Sequence, residues 1–267
     1  MDFPLASAVA PLLQVIDSIG STNAEVARRE RLAAQPHGTV LLTLDQTAGR
    51  GRLDRQWVAP PGTALAVSVV IAADLGTAAL PWLPIIGGLA ARDAVADALP
   101  ASVVAVKWPN DVLVSGADGV ERKIAGVLAE FITTTGAVVL GIGVNTTMRR
   151  ADLPVPTATS IEVELGVDTT DAVTLADRIA ADVIRGVLRR VAALADAGGD
   201  ASGSGLLGEA LGACATIGRR VRVSLPGDRI LTGVASGLDA SGAILVSTDD
   251  GATTAVHAGD VTHLRYE

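Results

Sequence analysis

Residues 46 to 57 combine arginines with glycines and form the densest positively charged stretch of the chain. The residues concerned are Gly49, Arg50, Gly51, Arg52 and Arg55. Guanidinium groups bind carboxylates and phosphates through paired hydrogen bonds, and glycine lets backbone N–H groups come close to a ligand. The stretch therefore predicts a surface loop between two strands that binds a carboxylate or a polyanion. A solvated arginine turn would explain these residues equally well.

A second group of polar residues follows the predicted strand 103–106. Pro109 cannot donate a ladder hydrogen bond, so the strand should end there. Lys107, Asn110 and Asp111 should then cluster at the strand end, as a site or as a plain ion pair.

Two further polar residues belong to apolar predicted strands. Lys123 lies near the start of strand 122–131, whose alternation is imperfect. A lysine entering a core is costly unless it has a partner, which makes Lys123 a site candidate, although snorkelling to the sheet edge is the alternative. Strand 137–144 contains two glycines, which favour close approach of a neighbour or ligand, and Asn145 is the polar group at its end.

The tripeptide Ser21, Thr22 and Asn23 opens a predicted helix. Thr22 and Glu25 have the spacing of a capping box, which explains the tripeptide by itself. A helix N-terminus also offers free N–H groups and hydroxyls to a polar ligand, so a binding role stays open.

Composition limits the function classes. Of the 267 residues, 49% are hydrophobic and 19% charged, which is typical of an ordered globular protein. The net charge of −8 argues against nonspecific binding to duplex DNA, so an anionic substrate must be held by a local basic cluster. The single Cys214 excludes an intrachain disulfide framework. The N-terminus has no basic region typical of a signal peptide, and the prolines and glycines of the apolar stretch 75–91 argue against a membrane span. We expect a cytoplasmic protein.

The order of predicted elements indicates two domains. Helices are predicted over 82–99 and 171–195, and a Gly/Ser/Ala-rich break follows at 197–205. From residue 217 onward, short alternating strands predict a small antiparallel barrel of about fifty residues.

Five motifs, taken in order, resemble those of the biotin–protein ligases. They are Ser21-Thr22-Asn23, Gln46 with Gly49 to Arg52, Lys107 to Asp111, Lys123 to Gly126, and Gly141 to Asn145. Each motif alone is weakly specific, whereas five in this order cover most of the chain. The predicted C-terminal barrel lies where this family has an SH3-like domain.

The resemblance implies an α+β fold and a two-step reaction. Residues 1–215 would form a catalytic domain with a mixed β-sheet flanked by helices, of the class II synthetase-like type, and residues 216–267 an SH3-like β-barrel. The carboxylate of biotin would attack the α-phosphorus of ATP to give biotinyl-5′-AMP. A lysine of a biotin carboxyl carrier protein would then attack the acyl carbon. Mg²⁺ would accompany the two substrates ATP and biotin and screen the repulsion between their negative charges.

The same motifs imply residue roles. Lys123 would bridge the biotin carboxylate and the α-phosphate as the catalytic residue, assisted by Arg52. The biotin-binding residues would be Ser21, Thr22, Asn23, Gln46, Arg50, Gly51, Arg52 and Lys123. The residues for ATP and the adenylate would be Arg55, Lys107, Asn110, Asp111 and Asn145. Metal ligands are not assigned by the motifs. Ordering of the arginine loop over the adenylate would exclude water and so prevent its hydrolysis.

Two features depart from the family's common pattern. Asp54 stands where the family commonly has glycine; aspartate tolerates unusual backbone angles, but its carboxylate beside Arg52 and Arg55 lowers the positive potential of the loop. Some members also carry an N-terminal winged-helix module, for which the residues before Ser21 are too few. We therefore expect the form without a DNA-binding domain and without a nucleic-acid partner.

Other interpretations remain. One alternative is a lipoate–protein ligase, an enzyme similar to the biotin–protein ligases in fold and chemistry. The arginine loop together with the barrel favours biotin as the substrate. A DNA-binding biotin sensor, or a binding protein without catalysis, belongs to a different class. A homodimer is permitted by an exposed sheet edge but not required.

Overall fold

The computed structural model describes residues 1–116, 118–167, 171–225, 227, 229–257 and 260–263. The helices are α1 (Pro4–Val9), α2 (Thr22–Leu32), α3 (Trp82–Ala98), α4 (Ile161–Leu165), α5 (Ala172–Asp196) and α6 (Leu206–Ala213). The strands are β1 (Leu12–Val15), β2 (Thr39–Thr43), β3 (Gly49–Arg50), β4 (Gln56–Trp57), β5 (Ala64–Ile71), β6 (Val103–Lys107), β7 (Asp111–Ser115), β8 (Glu121–Phe131), β9 (Val138–Asn145), β10 (Arg220–Leu225), β11 (Arg229–Leu238), β12 (Ile244–Ser247), β13 (Thr253–Val256) and β14 (Asp260–His263). Two 3₁₀ turns cover Thr77–Ala79 and Arg150–Asp152.

Seven strands form the main sheet, in the order β1-β2-β5-β9-β8-β7-β6. The pair β1 and β2 is parallel, and the other neighbours are antiparallel. The predicted mixed sheet flanked by helices is therefore confirmed. In the centre of the sheet, Gly143 on β9 lies opposite Ala66 on β5 and Gly126 on β8, so three small residues form one row across three strands.

The two faces of this sheet are covered differently. Alternate residues of β5 and β9, such as Leu65 and Leu140, face the main apolar core with α1, α3 and α5. On the opposite face, α2 packs over a smaller cluster that includes Val26, Val70 and Val139. α2 covers only one end of this face, and the row of small residues lies beside it without a covering helix.

The elements agree with the sequence pattern except at short segments. The predicted helices 82–99 and 171–195 correspond to α3 and α5. The sequence pattern did not predict α1, α4, β14 or the hairpin formed by β3 and β4. None of the helices among the described residues is both long and apolar enough to cross a bilayer.

The C-terminal strands form a second sheet, in the order β13-β12-β11-β10-β14. All its neighbouring pairs are antiparallel, which confirms the predicted SH3-like domain. Two indole N–H groups attach this sheet to the part of the chain that forms the main sheet. Trp82 Nε1 donates to the Ala240 carbonyl and Trp108 Nε1 to the Gly242 carbonyl, each at 3.0 Å. The boundary at residues 215 and 216 stays a prediction.

Candidate active site

A pocket lies on the accessible face of the main sheet, below the β3–β4 hairpin. All the predicted site residues line it except Lys107 and Asn145. The arginine stretch, the N-terminus of α2 and the ends of β7 and β8 therefore meet in space, as the motifs predicted.

Small residues form the floor of this pocket. The indole of Trp57, from β4, lies directly on the row made by Ala66, Gly126 and Gly143. A Cβ atom built on Gly143 would lie 2.8 Å from Trp57 Cε2, closer than real contacts allow. Two residues earlier in β9, on the same face of the strand, a Cβ atom built on Gly141 would lie 2.3 Å from the Asn23 amide oxygen. The glycines of β9 are thus required by two side chains that lie flat on the sheet.

A hydrogen-bonded network closes the α2 end of the pocket. Thr22 donates from both its backbone N–H and its Oγ1 to Gln46 Oε1, at 2.8 and 3.1 Å. Ser68 Oγ lies 2.8 Å from both Thr22 Oγ1 and Asn23 Oδ1. These side chains are buried or nearly so, and a buried polar group that is fully paired holds a fixed orientation.

The predicted capping box is wrong in its first residue. Ser21, not Thr22, is the N-cap of α2, and its Oγ accepts a hydrogen bond from Ala24 N at 3.4 Å. The cap lies one residue earlier because the backbone of Thr22 is already helical. The Thr22 hydroxyl is thereby left to bind Gln46.

The hairpin covers the pocket with charged side chains that have fixed partners. Arg50 Nη2 lies 2.6 Å from a Glu130 carboxylate oxygen, and Arg52 Nη1 donates to Asn110 Oδ1 at 3.0 Å. At the tip, Leu53 and Asp54 have positive φ angles of 54° and 57°. The tip is therefore a left-handed turn, and Asp54 occupies a conformation that glycine adopts most readily.

A β-bulge places Lys123 in the pocket. Val112 of β7 pairs with Ala125, and the next residue, Leu113, pairs with Lys123, so Ile124 is an extra residue on β8. Ile124 and Ala125 both face the core, which turns Lys123 onto the same face as the pocket floor. The bulge is the reason for the imperfect alternation of this strand.

The ammonium group of Lys123 has two partners. Its Nζ lies 2.6 Å from Asp111 Oδ1 and 5.9 Å from the centre of the Trp57 ring. Asp111 Oδ1 is buried and accepts no well-aligned hydrogen bond within the described part of the chain, so Lys123 is its charge partner. This pair can reorganise when an anion competes for the ammonium group.

Lys107 and Asn145 lie outside the pocket lining. Asn145 is 4% exposed and donates through Nδ2 to the Thr159 carbonyl at 2.8 Å. Thr159 N in turn donates to the Lys123 carbonyl at 2.9 Å, so Asn145 supports the strand end that carries Lys123. Lys107 is the ladder partner of Asp111, and its charge acts on the imidazole of His263.

Sequence reasoning missed Trp57 and the floor glycines as site residues. The glycine spacing in β9 indicated a close neighbour, but it did not identify that neighbour. With the hairpin in this position the cavity measures about 140 Å³. Small-molecule sites typically measure roughly 300 to 1,000 Å³, so this cavity is smaller than a typical ligand site.

The described residues contain no cluster of three or more potential metal ligands. Asp111 is the one carboxylate among the described residues that line the pocket. Mg²⁺ commonly binds one or two protein carboxylates together with substrate phosphates, and Asp111 fits that arrangement.

Comparison with known proteins gives matches over both domains. Residues 15–145 match the family described as Biotin/lipoate A/B protein ligase family, and residues 216–264 match the Biotin protein ligase C terminal domain. The biotin–[acetyl-CoA-carboxylase] ligase of Mycobacterium tuberculosis is 38% identical over 256 residues, which cover 95% of this chain and 89% of the relative.

Solved structures share the fold. A biotin protein ligase from Aquifex aeolicus in complex with biotin and ATP superposes with a TM-score of 0.75 at 23% identity, covering 96% of this chain and 100% of that one. A biotin protein ligase from Leishmania major in complex with biotinyl-5-AMP has a TM-score of 0.53 at 27% identity, covering 93% and 99%.

Proposed function

The chain belongs to the biotin protein ligases of the biotin/lipoate A/B protein ligase family, and from that membership we infer the roles of its residues. It activates biotin with ATP to biotinyl-5′-AMP and transfers biotin to a lysine of a biotin carboxyl carrier protein. The observation that carries the assignment is the Lys123–Asp111 pair facing Arg52 over a floor of small residues.

In the first half-reaction, an oxygen of the biotin carboxylate attacks the α-phosphorus of ATP and pyrophosphate leaves. We assign to Lys123 the role of binding both the carboxylate and the α-phosphate. When these anions arrive, the ammonium group exchanges Asp111 for them. Arg52 supplies a second positive charge from the hairpin. Fixed charges aimed at a developing negative charge stabilise a transition state more than the ground state.

We assign biotin recognition to the network at the α2 end. Thr22, Asn23 and Gln46 offer hydroxyl and amide groups, which suit the polar ureido group of biotin. The Trp57 indole and the floor glycines suit its apolar ring. Arg55 and Asn110 are assigned to the nucleotide. Asn145 is assigned a supporting role behind Lys123, and Lys107 stays an untested prediction.

Magnesium is proposed to arrive bound to ATP. Asp111 would hold it from the protein side once Lys123 has moved to the substrate anions. The ion would neutralise phosphate charge and so favour approach of the biotin carboxylate.

We propose that the acceptor is the carrier of a biotin-dependent carboxylase of the acetyl-CoA carboxylase type, as the name of the mycobacterial relative says of that protein. A homodimer, which an exposed sheet edge permits without requiring it, and a cytoplasmic location stay predictions.

A test of this function is ATP–pyrophosphate exchange by the purified protein with Mg²⁺. Parallel reactions contain biotin, lipoate or neither acid. We expect exchange with biotin alone, because the chain carries the biotin protein ligase C-terminal domain in addition to the part shared with lipoate ligases. Exchange with lipoate instead would overturn the substrate assignment, and no exchange with either acid would indicate a binding protein without catalysis.

A further inference from the structure

A single carboxylate on β8 connects the hairpin to α2. Glu130 Oε2 lies 2.6 Å from Arg50 Nη2, and Glu130 Oε1 lies 2.6 Å from Arg31 Nη2. Arg50 belongs to β3, and Arg31 belongs to the last turn of α2. These three side chains are here called the Glu130 bridge. No step of the proposed reaction uses this carboxylate.

The strand geometry puts Glu130 on the same face of the sheet as the pocket. Side chains two residues apart in a strand share a face, and Gly126 and Leu128 both line the pocket. Glu130 follows at the same spacing, and its backbone pairs with Val139 of β9. The carboxylate is therefore mounted beside the pocket on two strands in the middle of the main sheet.

Each oxygen of the Glu130 carboxylate has its own guanidinium partner. Charge-assisted hydrogen bonds of this kind are shorter and stronger than neutral ones. Arg31 holds one oxygen from the C-terminal end of α2, where the helix dipole favours a positive charge. The other oxygen is thereby turned towards the hairpin, so Arg50 meets an acceptor of fixed orientation.

The hairpin depends on side-chain contacts for its position. Its two strands pair over two residues each, Gly49 with Trp57 and Arg50 with Gln56. A two-stranded hairpin is at best marginally stable by itself. Arg50 is adjacent to Gly49, whose ladder partner is Trp57, so an anchor at Arg50 also fixes the indole over the glycine floor.

We propose that Glu130 is a positioning residue that holds the hairpin over the pocket through Arg50 and so slows the escape of biotinyl-5′-AMP. The proposal rests on the function proposed above. It assigns Arg50 to this anchor, whereas the motif resemblance implied direct contact with biotin. An adenylate that leaves the pocket meets water and unintended amines, so its retention determines how much activated biotin reaches the carrier protein.

The experiment measures the first-order rate at which the purified protein releases labelled biotinyl-5′-AMP. Four variants are compared with the wild-type protein: Glu130→Gln, Arg50→Met, the double variant and Arg31→Met. The matched control is Glu25→Gln, because Glu25 is likewise shared by two arginines, both of which lie on α2. Urea unfolding of each protein checks that the fold is retained.

We expect Glu130→Gln and Arg50→Met each to raise the release rate about three- to fivefold, which is in the range for the loss of an exposed ion pair. The double variant should release the adenylate no faster than the single variants, because both changes break the same contact. Arg31→Met should give a smaller increase, because Arg50 keeps its partner. Glu25→Gln should release the adenylate at the wild-type rate.

A wild-type release rate in Glu130→Gln would overturn the proposal. Effects that multiply in the double variant would also overturn it, because Arg50 would then act on the ligand independently of Glu130. An equal increase in Glu25→Gln would assign the effect to general charge rather than to the Glu130 bridge. If the wild-type protein forms no adenylate from biotin and ATP, the proposed function fails instead.

Discussion

At the residue scale, the site consists of cations that each have a fixed partner. Arg50 contacts Glu130, Arg52 contacts Asn110, and Lys123 contacts Asp111. Pairs this exposed contribute only about 0 to 1 kcal/mol to folding. These pairs therefore contribute mainly to orientation. In the proposed reaction they hold positive charge where a carboxylate and a triphosphate approach each other, in a protein of net charge −8.

Replacing Lys123 by methionine should nearly abolish adenylate formation. The change keeps much of the side-chain stem and removes the charge, so we expect a loss of about 10²- to 10³-fold in the rate of pyrophosphate exchange. The neighbouring Arg122, which pairs with Asp118 outside the pocket, provides the control. Arg122→Met should retain exchange within about twofold. Normal exchange in Lys123→Met would remove the catalytic assignment.

Replacing Gly141 by alanine should weaken biotin binding. The new methyl group would lie 2.3 Å from Asn23 Oδ1, so Asn23 must move and its contact with Ser68 breaks. We expect the Kd for biotin, measured by calorimetry, to rise at least about tenfold, which corresponds to about 1.4 kcal/mol. Gly212 on α6 has open space around it, and Gly212→Ala should leave the Kd unchanged. Unchanged binding in Gly141→Ala would show that Asn23 does not set biotin affinity.

At the element scale, the hairpin works as a cover whose stability depends on its tip. Gly51 N donates to the Arg55 carbonyl at 2.7 Å, which closes the turn. Between them, two residues other than glycine adopt left-handed angles, at a cost of about 1 to 2 kcal/mol for an ordinary residue and less for aspartate. The tip therefore holds backbone strain, and at Asp54 also a negative charge.

Asp54→Gly should slow the dissociation of biotinyl-5′-AMP. Glycine adopts the observed φ of 57° without strain, and loss of the carboxylate raises the positive potential beside Arg52 and Arg55. We expect a dissociation rate about two- to fivefold lower, measured by release of labelled adenylate. Leu53→Gly relieves strain at the adjacent residue without a change of charge. A similar effect in both variants would assign it to the backbone, whereas faster release from Asp54→Gly would contradict the prediction.

At the scale of the whole molecule, the domain interface contains a histidine whose pKa is lowered by burial. His263 Nε2 lies 3.1 Å from Thr216 Oγ1, and Nδ1 lies 3.6 Å from a Glu121 oxygen. Burial lowers the pKa of His263, and the charge of Lys107 lowers it further, although Glu121 opposes the shift. Burial also lowers the pKa of His37, whose Nδ1 accepts a hydrogen bond from Ala72 N.

Stability should therefore decrease as the pH falls below about 6.5, the ordinary pKa of histidine. The unfolded chain binds these protons near that pH, whereas the folded chain binds them only at lower pH, so acid favours unfolding. Urea unfolding at pH 7.5, 6.5 and 5.5 measures the effect. The double variant His37→Gln/His263→Gln should lose less stability over this range than the wild-type protein.

The ion-paired carboxylate Glu25 does not account for that pH window. Arg28 and Arg29 lower the pKa of Glu25 to about 2, so Glu25 remains ionised throughout it. Its contribution is lost only as the pH falls below its ordinary value of about 4.5 towards 2. An equal pH dependence in the double variant and the wild-type protein would show that the two histidines are not responsible.

The sequence by itself determined the type of site and most of its members. The motifs from Ser21 to Asn145 indicated the chemistry because charge type and glycine spacing are local properties of the chain. The long strands and helices were predictable for the same reason, since their periods extend over many residues. Asp54 was also identified from sequence as an unusual turn residue, and its positive φ agrees with that expectation.

Only the tertiary structure decided which side chains face the pocket. The floor row joins Ala66, Gly126 and Gly143 across three strands, and the Trp57 indole covers it, which depends on strand register rather than on any local pattern. The bulge at Ile124 turns Lys123 into the pocket. The side chain of Asn145 instead donates a hydrogen bond to the Thr159 carbonyl. The docking of the C-terminal sheet likewise requires contacts between residues more than a hundred positions apart. Side-chain direction follows from the pairing of distant segments, and for that reason it could not be derived from the order of the residues.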